Sequence, residues 1–147
     1  MDRIEARAAA LIGEIRKMAG RFMNWQEDLV HQKLADLNQR DAGVILMLGQ
    51  DGACTMSELA QKIKLTVSSA TLIIDRLVDR GLVSRHRSLE DRRVVRVALT
   101  SEGAEIHGIM FATLVRFGKA MLGALDDREQ EQLLALYRKI TSSLPRE

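Results

Sequence analysis

The chain has 147 residues, of which 46% are hydrophobic and 29% charged, a balance typical of a folded globular domain rather than a disordered one. A single cysteine, Cys54, excludes an intrachain disulfide framework and a cysteine-based zinc cluster. No apolar stretch approaches the ~18 residues that a membrane span needs, and no basic stretch followed by an apolar run stands at the start. We therefore expect a soluble cytoplasmic protein with no membrane partner.

The basic residues are unevenly distributed along the chain, although the formal net charge is only +2. Residues 62–96 carry nine lysine and arginine side chains against four acidic ones, a local excess of five positive charges. The rest of the chain carries thirteen basic and sixteen acidic side chains. Clustered cations are typical of a nucleic-acid-binding element because they neutralise phosphates, and a solvated arginine-rich surface is the alternative.

The N-terminal segment from Ile4 to about Leu34 is predicted to form one long helix. Its apolar residues recur every three or four positions, with the 3.5-residue period of a coiled coil. They are Ile4, Ala8, Leu11, Ile15, Met18, Phe22, Trp25 and Leu29. A helix of this length cannot bury such a stripe against one small domain along its whole length. We expect another helix, from a second subunit, to cover part of it.

Three shorter helices follow, each with a capping residue at its start. Asn38 caps a helix that ends near Gly52, and Thr55 with Glu58 forms a capping box that opens a short helix. Thr66 caps a third helix with an apolar stripe on one side and a polar outer face. Two helices joined by about three residues, the second of them amphipathic, predict a helix-turn-helix.

A β-hairpin is predicted after these helices. Residues 82–87 and 94–99 are β-prone, and a polar run with arginines at its tip joins them. Such a hairpin behind a helix-turn-helix is a wing, so the centre of the chain is predicted to be a winged helix-turn-helix.

Two further helices complete the chain. One starts at residue 101, and the other follows a second capping box formed by Asp126 and Glu129. The last helix carries an apolar stripe that favours contact with a partner. The predicted fold is therefore mainly α: a winged helix-turn-helix with long N- and C-terminal dimerisation helices, about six helices in all. Its parts are residues 1–37, 38–100 and 101–147, intertwined as one domain.

Four short motifs in this order resemble one protein family. They are SELA at 57–60, DRLVDRGLV at 75–83, EDRR at 90–93 and LTSEG at 99–103. Together they resemble the multiple-antibiotic-resistance-regulator (MarR) family of bacterial transcription factors, over roughly residues 38–105. The resemblance implies a triangular homodimer that binds a pseudo-palindromic operator in double-stranded DNA and usually represses transcription. It also implies release of the DNA by a small, often aromatic, effector.

The helix over residues 67–80 would be the recognition helix, whose N-terminal turn reaches base edges in the major groove. Its outward positions near the N-terminus are Ser68, Ser69, Thr71 and Leu72. Hydroxyls there contact bases or phosphates, whereas Leu72 stands where other family members have arginine or another polar residue. Leu72 either contacts a thymine methyl or is simply an exposed leucine.

Arg76 lies one turn further along the same helix and matches a family position that often contacts DNA. The alternative for Arg76 is an ion pair on the protein surface, with Asp75, Asp79 or Asp91.

The tip of the wing carries Arg92 and Arg93, on a loop whose width suits a minor groove, where arginine is attracted by the negative potential of narrow A·T-rich stretches. A solvated charged turn is the alternative. By resemblance, Arg93 inserts into the minor groove and Asp91 holds the wing by pairing with a neighbouring arginine. Arg85 and Arg87 alternate along the first wing strand and are expected to approach phosphates.

Other functions receive less support from the sequence. His31, His86 and His107 lie on separate elements, and no catalytic motif accompanies them, so we expect neither an enzyme nor a resident metal or other cofactor. Cys54 is expected to pack as a small apolar residue rather than to sense oxidants. The remaining alternative to DNA binding is a winged-helix module that binds an acidic protein.

Two aromatic residues of the first helix are candidates for a ligand pocket. Phe22 and Trp25 are candidates for lining a site for an aromatic effector. Both also belong to the apolar stripe of the first helix, where packing is the alternative role.

Overall fold

The computed structural model of this chain describes residues 2–27, 34 and 36–144, with the side chains of residues 25–27 outside the description. Over these residues the chain forms six helices and three strands. In chain order they are α1 (Arg3–Glu27), α2 (Gln39–Asp51), β1 (Cys54–Thr55), α3 (Met56–Lys62), α4 (Val67–Asp79), β2 (Val83–Arg87), β3 (Val95–Leu99), α5 (Ser101–Leu122) and α6 (Asp127–Ser143). The predicted mainly α fold with a β-hairpin wing is confirmed. The chain divides into two compact units, residues 1–111 and 112–147.

The long first helix is confirmed over the residues that the structure describes, and its predicted continuation over residues 28–33 lies outside them. Apolar residues of the predicted stripe are exposed on it. Ile4, Leu11 and Ile15 keep 65%, 58% and 49% of their surface accessible, so these positions of the stripe are exposed.

The predicted caps fix where the central helices begin. The Asn38 side chain accepts hydrogen bonds from the N–H groups of Arg40 and Asp41, and Gly52 ends α2 with a φ of 80°. At α3, the Thr55 hydroxyl accepts from the Glu58 N–H at 3.1 Å, and the Glu58 carboxylate accepts from the Thr55 N–H at 2.7 Å. These side chains satisfy amides that the first helical turn leaves without intrahelical partners.

The sheet has three antiparallel strands in the order β1-β3-β2. The hairpin β2–β3 has the predicted position, with Val83 opposite Leu99 and Arg87 opposite Val95. The strand β1 was not predicted from the sequence. Its two residues pair with Val97 and Arg96 of β3, and this pairing ties the start of α3 to the wing.

One apolar core holds the helix-turn-helix and the root of the wing together. Its buried residues come from α2, β1, α3, α4, both wing strands and the start of α5. They are Val44, Ile45, Leu48, Cys54, Leu59, Ala60, Ala70, Ile73, Ile74, Leu77, Leu82, Val83, Val97 and Ile106. Apolar burial on this scale is the main source of stability of the lobe.

The start of α5 lies tightly against the root of the wing at Gly103. A Cβ built on Gly103 would lie 1.9 Å from the carbonyl oxygen of Leu82, so this position requires glycine. Thr100 completes the joint: its N–H donates to the Leu82 carbonyl at 3.1 Å and its hydroxyl donates to the Gly81 carbonyl at 2.6 Å. The threonine and glycine of the LTSEG motif therefore have a structural role.

The second unit contains the C-terminal half of α5 and the helix α6. The predicted capping box is present, with Asp126 accepting from the Glu129 N–H at 2.9 Å. Leu136, Ile140 and Leu144 of α6 are exposed at 58%, 51% and 60%. Among the described residues, none of the helices has both the length and the hydrophobicity of a transmembrane span.

Candidate nucleic-acid interface

The helix-turn-helix is formed by α3, a short turn and α4. Lys64 in the turn has a φ of 53°, and the Leu65 N–H donates to the Ala60 carbonyl at 2.9 Å, which reverses the chain after α3. Thr66 then caps α4, with its hydroxyl oxygen accepting from the Ser69 N–H at 3.2 Å. Gly81, with a φ of 71°, follows the end of the helix.

The outer face of α4 carries the four candidates from the first two turns, but their polar groups are not equally available. The Thr71 hydroxyl donates to the Val67 carbonyl at 2.8 Å, and the Ser69 hydroxyl accepts from the Thr66 hydroxyl at 3.0 Å. Ser68 is exposed, and Leu72 keeps 65% of its surface accessible. Ser68 and Leu72 are therefore the side chains that project furthest from this face.

Arg76 forms an ion pair, but with a residue that the sequence did not indicate. Its Nη2 donates to Asp41 Oδ1 at 2.6 Å. The alternative role considered for Arg76 was an ion pair with Asp75, Asp79 or Asp91. The partner is instead Asp41, because α2 packs against α4 and brings Asp41 to Arg76. The Asp41 side chain is only 3% exposed, whereas the Arg76 side chain is 49% exposed.

A groove lies between the N-terminal turn of α2 and the outer face of α4. It has a volume of about 460 Å³, and Arg40, Ser69, Leu72 and Arg76 are among the residues that line it. Arg40 is exposed and was missed in the sequence analysis. The sequence predicts the start of α2 from its cap at Asn38. That this start borders the candidate interface is visible only once α2 is seen to pack on α4.

The loop at the tip of the wing is closed by backbone hydrogen bonds. The Ser88 N–H donates to the Val94 carbonyl at 2.9 Å, and the Val94 N–H donates to the Asp91 carbonyl at 3.0 Å. The Asp91 carboxylate accepts from the Arg93 backbone N–H at 2.9 Å. Asp91 thus holds the turn through the backbone, which corrects the expected pairing with a neighbouring arginine side chain.

The arginines of the wing differ in their surroundings. Arg85 Nη1 lies 2.6 Å from Asp75 Oδ1, so Arg85 ties β2 to α4. Arg87, Arg92 and Arg93 are exposed. Within the described residues, none of these three belongs to an ion pair. The free positive charge of the wing is therefore concentrated towards its tip.

A thiol and a carboxylate near the start of α3, and an amine at its last residue, have displaced pKa values. The hydrogen bond from the Thr55 N–H, together with the Thr55 hydroxyl, lowers the pKa of Glu58. A hydrogen bond to Asp51 raises the pKa of Lys62, and burial raises the pKa of the Cys54 thiol. Cys54 is buried as a free cysteine in the core, which confirms the expectation that it packs as an apolar residue.

The remaining candidate residues are not brought into one site. Phe22 is half-buried on α1, and the side chain of Trp25 lies outside the described residues. His31 is also outside them, whereas His107 stacks on Phe111 with a ring separation of 5.9 Å. Over the part of the chain that the structure describes, three or more His, Cys, Asp or Glu side chains do not gather into a group able to hold a metal.

The helix-turn-helix has α4 as its second helix, capped by Thr66 and with one face exposed. Together with the β2–β3 hairpin and its basic tip, it defines a winged helix-turn-helix protein. Comparison with known proteins narrows this class. Residues 37–95 match the model of the MarR family. The chain is also 31% identical over 101 residues to YhbI, an uncharacterized HTH-type transcriptional regulator of Bacillus subtilis. This alignment covers 69% of the chain and 63%, less than two thirds, of YhbI.

Solved structures extend the likeness to the full length of the chain. A MarR-like transcriptional regulator from Thermotoga maritima is 26% identical with a TM-score of 0.78, over 100% of this chain and 99% of the other. Bordetella bronchiseptica BpsR, whose DNA binding is regulated by 6-hydroxynicotinic acid, has the same fold, with 21% identity and a TM-score of 0.63 over 90% and 98% of the two chains. Residues 37–95 therefore form a MarR-type domain. The expectation of a regulator family rather than an enzyme family is confirmed.

Proposed function

We propose that the protein is a homodimeric, sequence-specific regulator that binds double-stranded DNA through α4 and the wing. The observation that carries this proposal is the basic tip of the wing, where Arg92 and Arg93 are exposed on a loop that hydrogen bonds hold closed. A rigid basic hairpin beside an exposed helix face fits a winged helix with α4 in the major groove and the wing in the minor groove. Because its target is the chromosome, we place the protein in the cytoplasm.

The roles of individual side chains follow from their exposure. Ser68 and Leu72 of α4 are proposed to face base edges, with Leu72 against a thymine methyl. Arg93 is proposed to enter the minor groove, and Arg87 and Arg92 to contact the phosphate backbone. Arg40, at the start of α2, is proposed as a further phosphate contact.

Dimerisation is proposed to use the long helices outside the winged lobe. The exposed apolar residues of α1 and α6 recur on one side of each helix, where burial in an interface stabilises association. A twofold dimer presents two identical winged lobes and therefore matches a pseudo-palindromic operator. Sedimentation at micromolar concentration tests this point, and a stable monomer would contradict it.

Arg93→Ala tests the proposed docking. Loss of one good contact per subunit, at about 1–3 kcal/mol each, is expected to weaken operator binding by about 30-fold or more. The operator is obtained by selecting bound duplexes from a random pool, and Arg138→Ala on α6 is the control for the lost charge. If Arg93→Ala binds the operator as tightly as the parent while Arg138→Ala binds less tightly, the proposed docking face is wrong.

Salt dependence distinguishes DNA binding from binding to an acidic protein. Neutralisation of phosphates makes the affinity for unrelated duplexes fall steeply with salt, because counterions are released on binding. A parent protein that binds no duplex at low salt would leave only the protein-interaction module.

We also propose that a small aromatic effector regulates DNA binding. Support comes from BpsR, which shares the fold and whose DNA binding is regulated by an aromatic acid. An effector releases DNA only if it binds the non-binding state more tightly. A panel of salicylate-like acids, titrated against the protein bound to a labelled operator, is expected to contain at least one that releases the DNA. If no compound does so, the protein acts without such an effector, and repression is then set by occupancy of the operator alone.

A further inference from the structure

A buried carboxylate lies directly behind the proposed DNA-reading face. Asp41 is in the first turn of α2, where its backbone N–H donates to the Asn38 cap at 2.9 Å. Its side chain points away from solvent, with only 3% of its surface exposed, and accepts from Arg76 Nη2 at 2.6 Å. The cap fixes the backbone of Asp41 and the surrounding core fixes its side chain, so Arg76 is held at a defined place.

Arg76 is anchored at one end of its guanidinium only. Half of the side chain remains exposed, and it lines the same groove as Ser69 and Leu72, which lie on the outer face of α4. A guanidinium has five N–H donors in a rigid plane, and the bond to Asp41 uses one of them. The remaining donors are sufficient for a bidentate contact with a guanine, which needs two.

The ion pair between Asp41 and Arg76 is poorly explained as a stabilising device alone. Removing charges from water carries a desolvation cost, and well-packed apolar residues often replace a buried ion pair without loss of stability. In some proteins a buried polar or charged group fixes one geometry among several, and Asp41 is buried in this way beside the half-exposed Arg76. Here the geometry that is fixed is that of an arginine on the proposed DNA-binding face.

We infer that Asp41 is a positioning residue for sequence recognition, which orients Arg76 so that it reads one base pair in each half-site. This inference rests on the proposed function. The anchored pair carries no net charge, so Arg76 adds little to the general attraction for phosphates. Asp41 therefore favours discrimination between sequences over affinity for DNA of any sequence. Without Asp41, the arginine would be free to contact phosphates on any duplex.

The test compares Asp41→Asn with the parent on a selected operator, on its single-base-pair variants and on an unrelated duplex. Asparagine keeps the shape and the acceptor oxygen but removes the charge. The expected result is that discrimination falls by about tenfold at the base pair where Arg76→Ala also loses it, since one good bidentate contact is worth about that factor. Affinity for the unrelated duplex is expected to be unchanged or higher. Asp41→Asn is expected to have no further effect on discrimination in an Arg76→Ala background.

Asp51→Asn is the matched control, because Asp51 is on the same helix and also forms an ion pair, with Lys62 at 2.6 Å. It removes the same charge but is expected to leave discrimination at every base pair intact. Arg76→Lys provides a second route if Asp41→Asn fails to fold. It keeps the charge without the planar fork, so it is expected to lose the same base pair while retaining affinity for unrelated DNA.

The outcomes separate this inference from the proposed function. If the parent binds its operator but Asp41→Asn weakens every duplex equally, or Arg76→Lys keeps the parent's discrimination, then Asp41 has only a structural role and the inference is wrong. If the parent binds no duplex at all, the proposed function fails and the inference falls with it.

Discussion

The substitution Gly103→Ala tests whether the joint between α5 and the wing depends on the absence of a side chain. A Cβ at this position would lie 1.9 Å from the carbonyl oxygen of Leu82 and 2.9 Å from its carbonyl carbon, whereas real Cβ contacts are essentially never below 3.0 Å. The obstacle is backbone, which cannot rotate away as a flexible side chain would. The helix α5 and the segment at Leu82 would have to separate by more than 1 Å.

The loss of stability in Gly103→Ala is the sum of the packing and the hydrogen bond that this separation disturbs. Overpacking in a well-packed region costs about 1–3 kcal/mol, and weakening the hydrogen bond from the Thr100 N–H to the Leu82 carbonyl costs about 1 kcal/mol more. Replacing glycine by alanine inside a helix returns up to about 1 kcal/mol. We therefore expect Gly103→Ala to lower the free energy of unfolding by about 1–3 kcal/mol.

Urea unfolding followed by circular dichroism at one fixed protein concentration measures this change. Gly43→Ala is the control, because it lies inside α2 with no atom within 4 Å of an added Cβ and is expected to stabilise by up to about 1 kcal/mol. A Gly103→Ala protein as stable as the parent would refute the proposed close approach.

Three further substitutions test local features of the lobe. Thr66→Ala removes the cap of α4 and is expected to cost about 1 kcal/mol in urea unfolding, whereas Ser68→Ala in the same turn is expected to change stability by less than about 0.5 kcal/mol. Because folding lowers the pKa of Glu58, its carboxylate stabilises the fold above its unfolded pKa and loses this effect as the pH falls through its folded pKa. Glu58→Gln is thus expected to make the loss of stability at acid pH less steep. An unchanged dependence of stability on acid pH would contradict this. A Cβ at Gly49 would overlap the ring of His107, so Gly49→Ala is expected to destabilise by up to about 2 kcal/mol, less than Gly103→Ala because the obstacle is a side chain and alanine favours the helix. Equal destabilisation in a His107→Ala background would show that the ring is not the obstacle.

The elements that the sequence predicted correctly are those specified by local signals. The caps at Asn38, Thr55, Thr66 and Asp126 all lie where the sequence analysis placed them, because a cap bonds amides only two or three residues away. The wing strands were found for a similar reason, since β-prone runs flank a short polar turn. Local signals therefore define the order of elements and most of their boundaries.

The features that the sequence did not predict depend on packing between distant segments. The strand β1 has only two residues and exists because β3 pairs with them. The partner of Arg76 was sought among nearby acidic residues, whereas Asp41 is 35 positions away and meets it only because α2 packs on α4. Similarly, Arg85 is held by Asp75 across the junction of β2 and α4. The number of charged residues in a segment does not show which of them form ion pairs such as Arg76–Asp41 and Arg85–Asp75.

These contacts change the meaning of the basic segment at residues 62–96. At least five of its nine basic side chains bond to carboxylates or backbone carbonyls of the protein, namely Lys62, Arg76, Arg80, Arg85 and Arg96. The exposed ones without an ion pair among the described residues are Arg87, Arg92 and Arg93, all in the wing. The anchored cations connect helices and strands, whereas the three wing arginines are exposed and belong to the proposed DNA interface. If the protein binds DNA as proposed, the salt dependence of binding should reflect the contacts of the wing and of Arg40 in two subunits, rather than the full count of basic residues.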